Sequence, residues 1–268
     1  MEFLTRLESL VGEACIKKIQ EPVVAIGGMG GTGGPLFLNL LRMGVRKFKI
    51  ADNGIFNAPD MNRQPGAFIS TLNKAKVDVY YDIARDIDPN VELEVSPEGL
   101  SMENIGNFVK GSDLFARMFN FNLENMEMEQ TLPGVLLKNG CTCFQSCLFG
   151  FGTLMYNYRP GEMPVLAALQ ELARQSEGEP IAGMFPTKLF EFFNPALMKK
   201  VKAYVEINKD FPSSSSGAQL AGSILASEMV LYLLRDTELA TREAVFAPKF
   251  VTLDFFDMAL NVRDATSL

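Results

Sequence analysis

The stretch GGMGGTGG at residues 27–34 constrains this chain more than any other feature. It follows a short apolar run, Pro22 to Gly27, and precedes a helix-like segment, PLFLNLLRMG, closed by Gly44. A strand that turns through glycines into a helix leaves backbone amides free to face an anion, and side chains there would obstruct the approach. Gly28, Gly30, Gly31 and Gly33 satisfy the spacing of a dinucleotide-binding turn. Asp52 ends the next strand, where an acid accepts hydrogen bonds from a ribose hydroxyl pair. The combination predicts a nucleotide site; the competing reading is a glycine turn that only packs strand against helix. By itself the loop fits a nicotinamide or flavin enzyme equally well.

The surrounding pattern alternates strands and helices. RKFKIAD, VELEVS and DLFARMF read as further strands, KAKVDVYYDIARDID and SMENIGNFVKG as helices, and residues 2–20 as an amphipathic helix. CTCFQSCLF, GTLMYNYR and FVTLDFF add strand candidates, and AQLAGSILASEMVLYLLRD is a helix whose small residues at 218, 221, 222 and 226 suit close packing. SSSSG at 213–217 reads as a flexible turn, and 161–215 as mixed helix and loop. This predicts an α/β, Rossmann-like fold with a mostly parallel central sheet, helices on both faces, and mixed strands toward the C-terminal half. A single domain over 1–268 is expected, with a nucleotide-binding half at about 20–150 and an acceptor or dimer half at about 151–268.

Composition narrows the chemistry. The 268 residues contain no histidine, which removes Ser-His and Cys-His pairs and the commonest zinc ligand. A formal charge of −7 argues against nucleic acid or an anionic membrane as partner. No apolar run reaches the ~18 residues of a membrane span. The four cysteines, at 15, 141, 143 and 147, form a poor disulfide framework and fit a reducing, cytoplasmic setting. Cys141, Cys143 and Cys147 lack zinc-knuckle spacing, so no zinc is expected.

The segment from Asp52 through Val95 breaks the tie between nucleotide chemistries. With Gly28, Gly30, Gly31, Gly33, Gly44, Val45, Asp52, Asn62, Arg63 and Gln64, and with Lys74-Ala75-Lys76-Val77 behind them, it resembles the ThiF/MoeB adenylyltransferases, whose wider superfamily includes the ubiquitin-activating enzymes. The resemblance implies a site that binds ATP and joins a carboxylate to AMP with release of pyrophosphate. Arg63 and Lys76 match the family cations that face the phosphates. Asp52 would hold the ribose, Asn62 and Gln64 would shape the wall beside it, and Lys74 would line the site. The carboxylate would belong to a small ubiquitin-like protein, a peptide or a small-molecule acid, and the protein would be a homodimer.

The chain also departs from the family. Where a strand usually ends in Asp-x-x-Asp and its second acid helps hold magnesium, Arg117 and Asn120 stand. Asp60 replaces an Asn ahead of the Asn-Arg-Gln segment. Asn120 and Asp60 are thus weak candidate magnesium contacts, since a neutral amide lacks a carboxylate's attraction for a hard cation. No cysteine follows Cys147, so a thioester relay is not expected. The alternatives are a degenerate nucleotide-binding or scaffold member of the same fold and, further off, an NAD- or FAD-dependent oxidoreductase.

Overall fold

The computed structural model describes residues 2–119, 126–178, 180–181, 185–208 and 211–267. Eight strands form one sheet in the order β3-β2-β1-β4-β5-β6-β7-β8. The strands β1 (Val23–Gly27), β2 (Lys47–Ala51), β3 (Glu92–Ser96), β4 (Leu114–Arg117) and β5 (Thr142–Phe149) pair in parallel. Strands β6 (Gly152–Met155), β7 (Lys249–Asp254) and β8 (Ala259–Asp264) continue the sheet antiparallel. The sheet is therefore Rossmann-like, with its antiparallel strands toward the C-terminus.

Both faces are covered, as the apolar strands require. Along β1 and β4 the side chains alternate, Val24, Ile26, Leu114 and Ala116 to one apolar cluster, Ala25 and Phe115 to the other. The first cluster takes in α2 (Glu13–Gln20), α3 (Gly33–Arg42), α4 (Lys76–Ile87) and α10 (Ser215–Leu233). The second takes in α5 (Ile105–Val109), α6 (Met126–Asn139), α7 (Val165–Arg174), α8 (Thr187–Phe190) and α9 (Pro195–Asn208). Helix α10 packs on α3 so closely that a Cβ on Gly222 would lie 2.6 Å from Leu36 N, which explains the small residues of that segment.

Several elements differ from expectation. The N-terminal helix breaks at Gly12, whose φ of +84° separates α1 (Thr5–Val11) from α2. Helix α6 contains Pro133, which hides its helical signal. The serine run is not a loose turn: Ser213 bridges to Gly150, and the Ser214 hydroxyl caps α10 by accepting the Gly217 N–H at 3.1 Å. The phenylalanines of 185–193 are core, since Phe185, Phe190 and Phe193 meet Phe149 edge to face with ring centroids 5.4–5.7 Å apart.

Strand order reverses between β1 and β4, and at such a switch point the crevice beyond the carboxyl ends of the strands is open to a ligand. The glycine turn lies there.

Candidate functional site

The turn leaves β1 through Gly28, at φ +100°, whose N–H donates to the Ala51 carbonyl at 2.8 Å. A Cβ on Gly28 would sit 2.6 Å from the Met118 carbonyl carbon, and one on Gly33 would overlap the Gly28 carbonyl oxygen. These two glycines are therefore required by the backbone itself. Gly30 is different, because a Cβ there would meet only the Gln64 amide, at 3.9 Å. Its space opens on the cleft. Helix α3 starts at Gly33, and its N-cap Thr32 supplies no side-chain cap, so the positive end of the helix faces the same opening.

Asp52, at the end of β2, holds this turn. Its Oδ2 accepts the Met29 N–H at 2.6 Å, and its Oδ1 accepts the Gly54 N–H at 2.7 Å. Each carboxylate oxygen keeps a lone pair for a further donor such as a ribose hydroxyl.

Beyond β2 the chain folds back through a short 3-10 turn, Ala58–Asn62, and Asp60 becomes a hub. Its Oδ1 accepts from Gln64 Nε2 at 2.5 Å and lies 3.7 Å from Arg63 Nη2. Its Oδ2 accepts the Asn57 N–H at 3.0 Å and lies 3.9 Å from Lys76 Nζ. The side chains of Asp60, Arg63 and Lys76 are 13%, 23% and 14% exposed, so they line a recess and not open surface. Arg63 passes over Gly31, its Nε 3.4 Å from where a Cβ would be, and Nη1 donates to Pro59 O at 3.0 Å and to Asn62 Oδ1 at 2.9 Å. Lys76 opens α4, with Nζ 5.9 Å from the Phe56 ring centroid.

The remaining candidates divide. Gln64 is buried against the turn, and its Oε1 has no hydrogen-bond partner among the described residues. Asn62 binds Arg63 and donates to Ser213 O at 3.2 Å, linking the site to the start of α10. Lys74 is exposed; Lys76, not Lys74, reaches Asp60. Asn120 lies outside the described residues.

Arg117 ends β4 beside Gly27 but turns into the opposite apolar layer. Its Nε donates to Glu129 Oε1 at 2.8 Å and its Nη1 to Phe119 O at 2.7 Å. Burial raises the Glu129 carboxyl above its ordinary value, with the Arg117 charge opposing that rise. The sequence carries no signal for Glu129 as its partner, because twelve residues of separation match no helix or strand spacing.

Cys143 and Cys147 belong to β5 and Cys141 adjoins it; all three pack with that same layer. Desolvation holds these thiols well above the ordinary cysteine range, Cys141 to about 12. Among the described residues no group of three His, Cys, Asp or Glu side chains is arranged to hold a metal ion. Asp60, with both oxygens engaged by Gln64, Arg63, Asn57 and Lys76, does not fit a protein-held magnesium site. Among those residues no helix is long and apolar enough to cross a membrane.

Comparison with known proteins agrees with this architecture. The ThiF family pattern matches residues 4–267. Protein HesA of Nostoc sp. is 28% identical over 103 residues, 38% of this chain and 41% of HesA. The tRNA threonylcarbamoyladenosine dehydratase of Bacillus subtilis is 30% identical over 89 residues, 33% of this chain and 35% of that protein. The matched segments thus span well under half of these relatives. Among solved structures, E. coli MccB superposes with a TM-score of 0.72 at 11% identity, over 98% of this chain and 69% of MccB. MccB has also been solved with ATP; that structure gives a TM-score of 0.69 at 12% identity, over 94% of this chain and 66% of MccB.

Proposed function

The chain belongs to the ThiF family, and we propose that it is an ATP-dependent adenylyltransferase acting on a carboxylate. One observation carries the reading: beside the glycine turn, Arg63 and Lys76 approach the two oxygens of a single carboxylate, to 3.7 and 3.9 Å, a pair of cations spaced for an anion. Attack of a substrate carboxylate oxygen on the α-phosphorus forms the acyl adenylate while the bond to the bridging oxygen breaks and pyrophosphate departs. Negative charge grows on the phosphates during that exchange, and fixed cations aimed at them are the required stabilisers. Gly30 leaves room for the phosphates, the Gln64 oxygen lacking a partner offers an acceptor to the nucleotide, and Asp52 is placed to receive ribose hydroxyls. Magnesium enters this reading only as a companion of ATP, and no step depends on it.

For the substrate, the MccB structures that contain MccA support a peptide carboxylate, and the charge of −7 favours a peptide or small acid over tRNA. The buried thiols support direct transfer of the acyl group without a cysteine relay. In this reading residues 1–268 act as one adenylation domain, its half at about 151–268 facing the acceptor and a second copy in a homodimer.

Exchange of radiolabelled pyrophosphate into ATP, across a panel of peptide and small-molecule acids, tests the activity. Carboxylate-dependent exchange that Arg63→Ala abolishes is the expected result; exchange indifferent to Arg63→Ala overturns the assignment. A second reading, nucleotide binding without turnover, is favoured by one observation: Arg117, at a position where the family resemblance implies an acid, is locked onto Glu129. Tight ATP binding with no exchange across the panel would establish it.

A further inference from the structure

A polyphosphate site requires cations, but it does not require a carboxylate between them. Each oxygen of Asp60 accepts one hydrogen bond and faces one cation: Oδ1 accepts from Gln64 Nε2 and lies 3.7 Å from Arg63 Nη2, and Oδ2 accepts the Asn57 N–H and lies 3.9 Å from Lys76 Nζ. That is the donor set a phosphate group would meet. We infer that Asp60 is a positioning residue that stands in for the polyphosphate in the unliganded protein, keeping Arg63 and Lys76 in place while lowering the affinity for ATP. The identity of the displacing ligand rests on the adenylation reading; the geometry of the stand-in does not.

The carboxylate cannot leave when the ligand arrives. Its Oδ2 accepts the Asn57 N–H at 3.0 Å while its own N–H donates to the Asn57 carbonyl at 2.9 Å, and this local ring fixes Asp60 in the 58–62 turn. Arg63 and Lys76 must then turn their remaining hydrogen-bond donors toward the phosphates while Asp60 stays beside them as a like charge. In a recess this sheltered, such repulsion is screened less than on open surface. The benefit is order. Two long side chains are held before the ligand binds, so less of their rotamer freedom is lost on binding.

The two effects oppose one another, and their separation is the test. Replacing Asp60→Asn removes the charge but keeps an acceptor for the Asn57 N–H. ATP should bind roughly 5- to 20-fold more tightly, the range expected for removing one like charge at close approach. The turnover number of pyrophosphate exchange should fall as the cations lose their fixed position. A purely structural role would move affinity and turnover in the same, unfavourable direction. Calorimetric titration of wild type, Asp60→Asn and Asp60→Ser with ATP and with inorganic tripolyphosphate, alongside exchange kinetics and thermal melting, decides the matter; the serine variant serves if the asparagine variant fails to fold. Tighter binding with slower turnover supports the inference. Wild-type binding and exchange together with equal or weaker binding by folded variants overturns it and leaves the adenylation reading intact. Tighter binding of both probes by the variants, with no exchange by any protein, supports the stand-in and overturns adenylation. Absence of binding by every protein overturns both.

Discussion

The carboxylate of Asp52 accepts the backbone N–H of Met29 at 2.6 Å, so the acid that ends β2 directly shapes the turn that follows β1. A residue expected to face the ribose thus has a second task, holding the nucleotide loop against the next strand through Met29 and Gly54.

Asp52→Ala should therefore cost stability as well as binding. Two charge-assisted hydrogen bonds to backbone amides are lost at a partly buried position, and about 2 kcal/mol of unfolding free energy should go with them. Urea denaturation measures that loss, and ATP binding should become undetectable in the folded fraction.

The glycines separate folding from ligand approach. Gly33→Ala places a methyl group into the Gly28 carbonyl and should prevent a stable fold, whereas Gly30→Ala meets only the Gln64 amide, at 3.9 Å, and should fold normally. If the open side of Gly30 receives phosphates, Gly30→Ala should melt like wild type and yet bind ATP at least tenfold more weakly, since a methyl group would hold the phosphates off the backbone amides. Calorimetry and a melting curve on the two variants check this.

Much of that geometry was legible in the sequence because it is local. A glycine turn, its strand and its helix are contiguous, and Arg63 and Lys76 follow within one βα unit of Asp52. Asp60 could be identified as a departure from the family, but its position between the cations emerged only from the fold-back of 54–64. The second apolar layer was harder to read. Pro133 interrupts the pattern of α6, and the segment around α8 buries Phe185, Phe190 and Phe193 against Phe149, a contact with no sequence period. Strand β8 was not anticipated: as an edge strand it leaves Leu260 and Val262 exposed, so no alternation marks a buried face.

Arg117 and Glu129 should behave as a unit. Glu129→Ala leaves the guanidinium buried without its carboxylate, and about 3–5 kcal/mol of stability should be lost. The double variant Arg117→Met, Glu129→Leu should recover most of it, because a well-packed apolar pair replaces both charges. Chemical denaturation of the single and double variants gives the coupling.

The cysteines should be silent in the native state. Cys141 and Cys143 are buried, and desolvation raises the thiols of both and of Cys147, so the thiolate is scarce at neutral pH. Ellman's reagent should label none of these three in minutes in buffer and all of them in denaturant. Rapid native labelling of any one would reopen a thioester or redox role.

The central claim is that Arg63 and Lys76 converge on the triphosphate presented by the glycine turn. A crystal structure with AMPCPP and magnesium tests it most directly. The account predicts triphosphate density over Gly28 to Gly33, with the Arg63 guanidinium and the Lys76 ammonium each about 3 Å from a phosphate oxygen. Density lying elsewhere, with both cations still directed only at Asp60, would contradict it.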